Sequence, residues 1–367
     1  MVAACEGYTR FLFRDDASVE KEQLDMKKMW ALLISACILA GGVAGCGSQA
    51  EPQGTVTQKV AEAPAKQDFK AVTTVKSGQK NVYAVVKAMN GNYWKKVIAG
   101  MKKAGEENGV NVYVGGVNKD GNWELQRAML IDAQARKADT IILGAADSMR
   151  LTEATKNLRA DKLPVVLVDT MMNTEDYDAS YMTNNLAAGA EVAKKMVELL
   201  KESGVSEDEE ITVVMHVSNL ASRTISERLD STIANWYNLA PKKWKISKAY
   251  LINYGDEQTS GELVEKTLQD KSVKGIIACN NSSTKATIAA VMKEGRKDLA
   301  VMGFDLSEPA VAALKDGSYH FATIAQNPEK MGYEAVKAAA ALADGKAVSE
   351  RDVNTGITIM DAKNFKG

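Results

Sequence analysis

Residues 81–116 read NVYAVVKAMNGNYWKKVIAGMKKAGEENGVNVYVGG, and this stretch decides the fold. Residues 82–86 form a short apolar run of strand length. From Tyr93 the pattern changes period. Val97, Ile98, Met101 and Ala104 recur at helical spacing, with lysines and glutamates on the opposite face, so 93–108 predicts an amphipathic helix. Residues 112–114 are again apolar and β-branched, a second strand. A strand, a helix and a strand in about thirty residues make one crossover unit, and such units build parallel sheets covered on both faces.

The same alternation continues outward. Helices are expected over 123–135 and 148–159, and strands over 140–143 and 165–168, the last ending at Asp169. It then restarts. Helices are expected over 186–200, 222–236, 262–269, 283–294, 309–315 and 328–343. The intervening strands fall at 211–215, 246–252, 273–278, 300–304 and 321–325, and 353–360 closes as extended chain. These strands are too many for one small sheet. The fold class expected is therefore α/β, as two Rossmann-like lobes with parallel sheets, dividing near Thr183. No short period recurs, which argues against a solenoid.

Upstream, residues 26–49 read MKKMWALLISACILAGGVAGCGSQ. Lys27 and Lys28 precede a short apolar run that ends in small residues before Cys46. This is the layout of a secretory signal peptide over 26–45, too short to span a membrane. Its Val43-Ala44-Gly45-Cys46 ending resembles a bacterial lipobox, which implies cleavage before Cys46 and acylation of its thiol. Residues 1–25 are mixed and acidic and do not belong in front of such a segment, so Met26 is expected to be the true initiator. Residues 46–78, rich in Ala, Gln, Thr, Lys and Pro, read as a flexible tether.

Composition narrows the function. The chain of 367 residues is 25% charged with a formal net charge of −1, and no basic cluster favours nucleic acid. The 4 cysteines lack CxxC spacing and the 2 histidines, His216 and His320, lie far from them in sequence, so no metal is expected. No cofactor is expected either. There is no GxSxG, Walker loop or HExxH. Cys279, flanked by Ile276, Ile277 and Ala278, reads as a small buried strand residue.

In open parallel sheets ligands bind beyond the carboxyl ends of the strands. The residues there are Asn90, Tyr93 and Trp94 after the first strand, Asp169, Asn280, Asp305 and Gln326. Carboxylates and amides can engage two neighbouring hydroxyls at once, and aromatic faces cover the apolar face of a sugar ring. Arg228 adds a rigid fork of donors. Each has a plainer reading. Asp169, Asp305 and Asn280 could cap helices. Trp94 lies on the apolar stripe of its helix. Arg228, next to Glu227 and near Asp230, could be a solvated ion pair. His216 reads as a satisfied structural histidine.

Taken together, residues 81–364 resemble the ribose-binding-protein-like group of type I periplasmic binding proteins. The resemblance is carried by Val301-Met302-Gly303-Phe304-Asp305, Thr323-Ile324-Ala325-Gln326-Asn327-Pro328, Met331-Gly332-Tyr333 and Pro164-Val165-Val166-Leu167-Val168-Asp169. It implies that the paired aromatics are Tyr93 and Trp94, and that Asp169, Arg228, Asn280, Asp305 and Gln326 contact ligand. It also implies a three-segment hinge at Thr183-Asn184, Gln326-Asn327 and Asn354-Thr355. The lobes would be 79–183 plus 327–354, and 184–326 plus 355–367. Thr170 stands where the ribose binders have arginine, Gly91 replaces an asparagine, and Leu229-Asp230-Ser231-Thr232 replaces a Gly-Phe run. The sugar is therefore left open among pentoses, hexoses and polyols.

The function implied is an extracytoplasmic receptor of an ABC importer. It would be monomeric, exported, anchored only by lipid to the outer face of the cytoplasmic membrane or periplasmic, and would hand its solute to permease subunits. The alternatives are a sensing receptor for a chemotaxis or kinase system and a carbohydrate-acting enzyme using Asp169 with Asp305. No catalytic residue is expected under the main reading.

Overall fold

The computed structural model describes residues 67–117 and 121–367. The expected signal peptide, Cys46 and most of the expected tether lie outside the described residues.

Two seven-stranded sheets organise the molecule. The first contains β1 (Lys70–Ala71), β2 (Asn81–Val86), β3 (Asn111–Gly116), β4 (Thr140–Leu143), β5 (Val165–Val168), β6 (Ala179–Met182) and β13 (Asp352–Asn354). Its order is β1-β3-β2-β4-β5-β6-β13. The second contains β7 (Ile211–Val217), β8 (Trp244–Ile246), β9 (Leu251–Ile252), β10 (Val273–Ala278), β11 (Ala300–Phe304), β12 (Phe321–Gln326) and β14 (Ile357–Asp361). Its order is β14-β12-β11-β10-β7-β8, with β9 also on β7. The expected two-sheet α/β architecture is thus the one adopted. Two pairings depart from all-parallel: β1 on β3 and β14 on β12 are antiparallel edges.

Strand burial follows from the crossovers. On β2, Val82, Ala84 and Val86 face α1 (Asn92–Asn108) and α9 (Pro328–Ala343), meeting Val97, Met101, Met331 and Val336. Tyr83 and Val85 face the opposite layer, where α2 (Trp123–Ala135) and α3 (Thr152–Ala160) supply Met129, Leu130 and Leu158. The period-2 alternation therefore feeds two apolar layers at once. In the second sheet, Val213, Met215 and Val217 pack on α4 (Asn185–Glu202) and α5 (Arg223–Leu239). The other face takes Val264 of α6 (Glu257–Thr267), Ile288 and Val291 of α7 (Asn281–Lys293) and Leu314 of α8 (Glu308–Asp316).

Several sequence expectations are corrected. The chain joins the fold earlier than residue 79. Lys70–Ala71 pairs with β3, Phe69 packs edge-on against Tyr83 at 5.0 Å, and the buried Thr73 hydroxyl accepts from Val112 N at 2.9 Å. Residues 67–78 are therefore part of the first lobe, not tether. The helix expected from 148 starts at Thr152, because Asp147 accepts from Met149 N (2.9 Å) and Arg150 N (2.8 Å) and holds a turn there. The strand expected over 246–252 breaks into β8 and β9. Ser247 bonds to Ala249 in between, and both pieces return to β7. Strand β6 was not expected at all. The extended 353–360 segment is two strands in two sheets, turned at Gly356 with φ 85°, a conformation that glycine adopts without steric cost.

The chain passes from one sheet to the other between β6 and α4, between β12 and α9, and between β13 and β14. These strands are tied together. Thr183 Oγ1 donates to Gln326 Oε1 (2.9 Å), Asn327 Nδ2 to Thr355 O (2.8 Å), Thr355 N to Met182 O (2.8 Å) and Asn184 N to Asn354 Oδ1 (3.1 Å).

Candidate functional site

Between the sheets lies a cavity of about 450 Å³. All eight residues singled out at the strand ends line it: Asn90, Tyr93, Trp94, Asp169, Arg228, Asn280, Asp305 and Gln326. The first four belong to the lobe of the first sheet and the last four to the other.

Backbone geometry aims the carboxylates. Asp169 follows β5 and Asp305 follows β11, with φ of 67° and 69°. Aspartate tolerates the left-handed region better than most residues, and such conformations gather at functional sites. In both segments the backbone turns off its sheet one residue past the strand, so one buried carboxylate projects from each lobe. Neither aspartate acts as a helix cap. Tyr93 and Trp94 open α1 and meet edge to face at 5.5 Å. They belong both to the core and to the cavity wall, so the core reading of Trp94 and its ligand reading are compatible.

The two carboxylates differ electrostatically. Asp169 Oδ1 accepts from Tyr93 Oη (2.6 Å), and Oδ2 accepts from Thr170 Oγ1 (2.6 Å) and faces Lys87 Nζ at 3.1 Å. Burial is the largest single influence and pushes its pKa up. The Lys87 charge, the two hydroxyls and Arg228 together outweigh it and hold the carboxyl below its ordinary value. Asp305 has no lysine in ion-pair contact, and Lys96 acts on it only weakly. Its Oδ1 accepts from Gln326 Nε2 at 3.0 Å. Burial, helped by the neighbouring Asp169 charge, outweighs Arg228, Gln326 and Lys96 and pushes its pKa up to about 6. Burial, then the neighbouring Asp169, likewise raises the Tyr93 phenol well above its usual range.

Arg228 is 2% exposed, so the solvated ion-pair reading fails. Its Nε donates to Asn185 Oδ1 (2.9 Å), Nη1 to Cys279 O (2.7 Å) and Nη2 to Gln326 Oε1 (2.9 Å). The guanidinium stacks on Phe304 at 3.8 Å. Three of its five N–H groups are thereby fixed, and the fork is held rigid beside Asp305. Asn280 caps α7, accepting from Ser283 N at 3.3 Å, and its Nδ2 donates to Ser282 Oγ at 3.1 Å. It lines the cavity with its side chain already occupied, so the capping reading holds. Asn90 sits exposed on the rim. His216 bonds Thr287, Asn253 and Ser260 and lies outside the cavity lining, as a structural histidine does.

Sequence reasoning missed Lys87, Ser222 and Thr224; Asn281, which follows Asn280 at the end of β10 and is legible there as a strand-end amide, also lines the cavity. Lys87 sits one residue past β2, a strand-end position like the others, and that signal was available. Its Nζ is 3.1 Å from both Asp169 Oδ2 and Ser222 Oγ, so it bridges the lobes. Thr224 Oγ1 donates to Asp169 O (3.1 Å) and lies 3.0 Å from Thr170 Oγ1. The lobes also meet where Ser148 N donates to Ala221 O (3.0 Å) and Arg223 N to Ser148 Oγ (2.9 Å). Thr170, where an arginine was the pattern, thus serves lobe contact. The cation beside Asp169 comes from Lys87.

Residues 82–347 match the periplasmic binding protein domain, and the chain belongs to that family. It is 23% identical over 280 residues to the ribose import binding protein of Bacillus subtilis, covering 75% of this chain and 86% of that protein. It is 26% identical over 301 residues to the D-apiose import binding protein of Actinobacillus succinogenes, covering 81% and 93%. Among solved structures, a carbohydrate transporter solute-binding protein from Agrobacterium radiobacter in complex with D-arabinose superposes with a TM-score of 0.72. That pair is 22% identical, covering 79% of this chain and 97% of that one.

Among the described residues, no group of three or more His, Cys, Asp or Glu is placed to hold a metal ion, and no helix is long and apolar enough to cross a membrane.

Proposed function

We propose that this chain is the extracytoplasmic receptor of an ABC importer and that it closes its two lobes around a monosaccharide or similar polyhydroxylated solute. One observation carries the reading: Tyr93, Trp94 and Asp169 from one lobe and Arg228, Asp305 and Gln326 from the other line a single cavity. The lone pairs left on Asp169 and Asp305 and the N–H groups left on Arg228 and Gln326 are partners for ligand hydroxyls, while the aromatic pair offers a face for a ring. Relatives named as ribose and D-apiose import binding proteins support the same class of ligand.

The mechanism follows from the wall belonging to both lobes. A solute held by one lobe gains its remaining hydrogen bonds only when the other arrives. That difference in affinity is what shifts the lobes together. The closed surface is then the form that permease subunits read. Every step is non-covalent, and Asp169 has both oxygens committed to Tyr93, Thr170 and Lys87, which disfavours an acid–base role for the aspartate pair. The Cys46 lipid anchor places the receptor at the outer face of the membrane, and it acts as a monomer. Asn90 contributes from the rim and Asn280 by shaping the wall.

Thermal unfolding of the purified protein with D-ribose, D-apiose, D-arabinose, D-fucose, D-tagatose and D-glucose tests the reading. A saturating ligand at a hundred times its Kd adds about 2.7 kcal/mol of stability, a shift of several degrees. A panel in which no sugar moves the transition would sink it.

A further inference from the structure

The cleft is lined by four amides from the second lobe, Asn219, Asn280, Asn281 and Gln326, and their hydrogen bonds are unevenly spent. Asn219 Oδ1 accepts from Ala221 N and Ser222 N, and its Nδ2 donates to Ser218 Oγ. Gln326 Oε1 accepts from Arg228 and Thr183, and its Nε2 donates to Asp305. Asn280 is occupied at both ends by Ser283 and Ser282. Asn281 differs. Its Nδ2 is buried and meets no hydrogen-bond partner, one of two such side-chain nitrogens among the described residues, the other being Trp123 Nε1. Trp123 does not line the cleft, whereas Asn281 does. Asn281 also borders a side pocket of about 30 Å³ with Asp305 and Gln326. A buried amide donor left unpaired is costly, so a site that keeps one has a use for it.

We infer that Asn281 is a specificity-determining residue of the cleft, whose Nδ2 donates to a ligand hydroxyl that itself donates to Asp305. This rests on the receptor reading given above. The chemistry is complementary: a hydroxyl offers one donor and two acceptor lone pairs, an amide N–H supplies what it accepts, and a carboxylate takes what it gives. Asp305 Oδ1 is held by Gln326, and no protein donor holds Oδ2 among the described residues. The pair therefore recognises a hydroxyl and rejects a hydrogen at the same carbon, because a deoxy ligand leaves both groups buried and unpaired. A neutral hydroxyl is favoured over an anionic substituent, which Asp305 would repel.

Isothermal titration of the full chain tests this, using the sugar of the panel that gives the largest thermal shift and its monodeoxy analogues. The variants are Asn281→Ala, which suits a helix, and Asn281→Asp, which keeps the shape, removes the donor and is tolerated in a first helical turn. Wild type is expected to reject one monodeoxy analogue by tenfold or more. Both variants are expected to bind the parent sugar at least tenfold more weakly, and in Asn281→Ala the discrimination at that one position should shrink to the part that Asp305 retains. Unchanged affinity and unchanged discrimination, with only a lowered melting temperature, would overturn the inference and assign Nδ2 to a structural water. Sugar binding with intact discrimination in the variants overturns this inference alone. Absence of binding by any sugar overturns the receptor reading with it.

Discussion

At the residue scale the site is governed by how unequally two aspartates are treated. Lys87 and two hydroxyls hold Asp169 ionised, while Asp305 sits buried with a pKa of about 6. Ligand hydroxyls that donate to Asp305 favour its ionised form, so the pKa falls on binding and affinity is lost as pH drops below about 6. Titrations between pH 5 and 7.5 should show this weakening, and Asp305→Asn should flatten the profile while binding more weakly throughout. Arg228→Ala removes the one guanidinium beside Asp305 and orphans Cys279 O. A hydrogen bond to a charged group contributes about 1.5–3 kcal/mol, so loss of the guanidinium's bonds to ligand should lower sugar affinity at least tenfold by calorimetry. Wild-type affinity in that variant would remove Arg228 from the binding site. Cys279 lies against the same guanidinium, yet burial pushes its thiol up to about 12, so it plays no reactive part.

At the element scale the first lobe depends on how closely α1 approaches α9. Both helices are glycine-bearing at their crossing. A Cβ on Gly332 would stand 1.9 Å from Val97 O, and one on Gly100 would stand 2.0 Å from Glu329 O. The backbones touch there, and no side-chain shift relieves the clash. Gly332→Ala should therefore force the helices apart and destabilise the fold by about 1–3 kcal/mol or more, read as a lowered urea midpoint. Because α1 carries Tyr93 and Trp94 at its start, one turn before Val97, ligand affinity should fall with it. A variant with an unchanged midpoint would show that the crossing is softer than this geometry implies. The same crossing explains why the Met331-Gly332-Tyr333 run reads so distinctly in sequence: only glycine fits between two packed backbones.

At the scale of the whole molecule, stability against pH reflects two opposed burials. His216 is buried and its pKa is lowered to about 4, so its neutral form stabilises the fold above pH 6.5 and that contribution is lost as pH falls toward 4. Asp305 acts in the other sense. Its folded pKa lies above the ordinary carboxyl value, so its ionisation costs stability as pH rises through 6, and the cost is relieved in acid. A shift of about two pKa units corresponds to on the order of 3 kcal/mol, so the two nearly cancel between pH 4 and 6. Asp305→Asn should unmask the histidine. Relative to wild type, its stability should drop more steeply from pH 6.5 to 4 in denaturant titrations. Parallel curves would show that Asp305 titrates normally.

What the sequence by itself determined is the set of elements and the set of candidate groups. Period-2 and period-3.6 apolar patterns are local, because they express burial on one face of a strand or helix. They placed most strands and helices, and with them the polar groups at the strand ends. The misses mark where local pattern ends. The short strand at 179–182 and the edge strand at 70–71 carry little apolar signal, and they are strands because neighbours from distant sequence offer them hydrogen bonds. Tertiary structure alone decided how each polar group is spent. Asn280 and Asn281 are adjacent and chemically identical, yet one caps its helix and the other points a buried donor without a protein partner. Lys87 and Ser222 are 135 residues apart and meet across two lobes. Hydrogen bonds and ion pairs act over a few ångströms in space, and chain order does not say which residues will share those few ångströms.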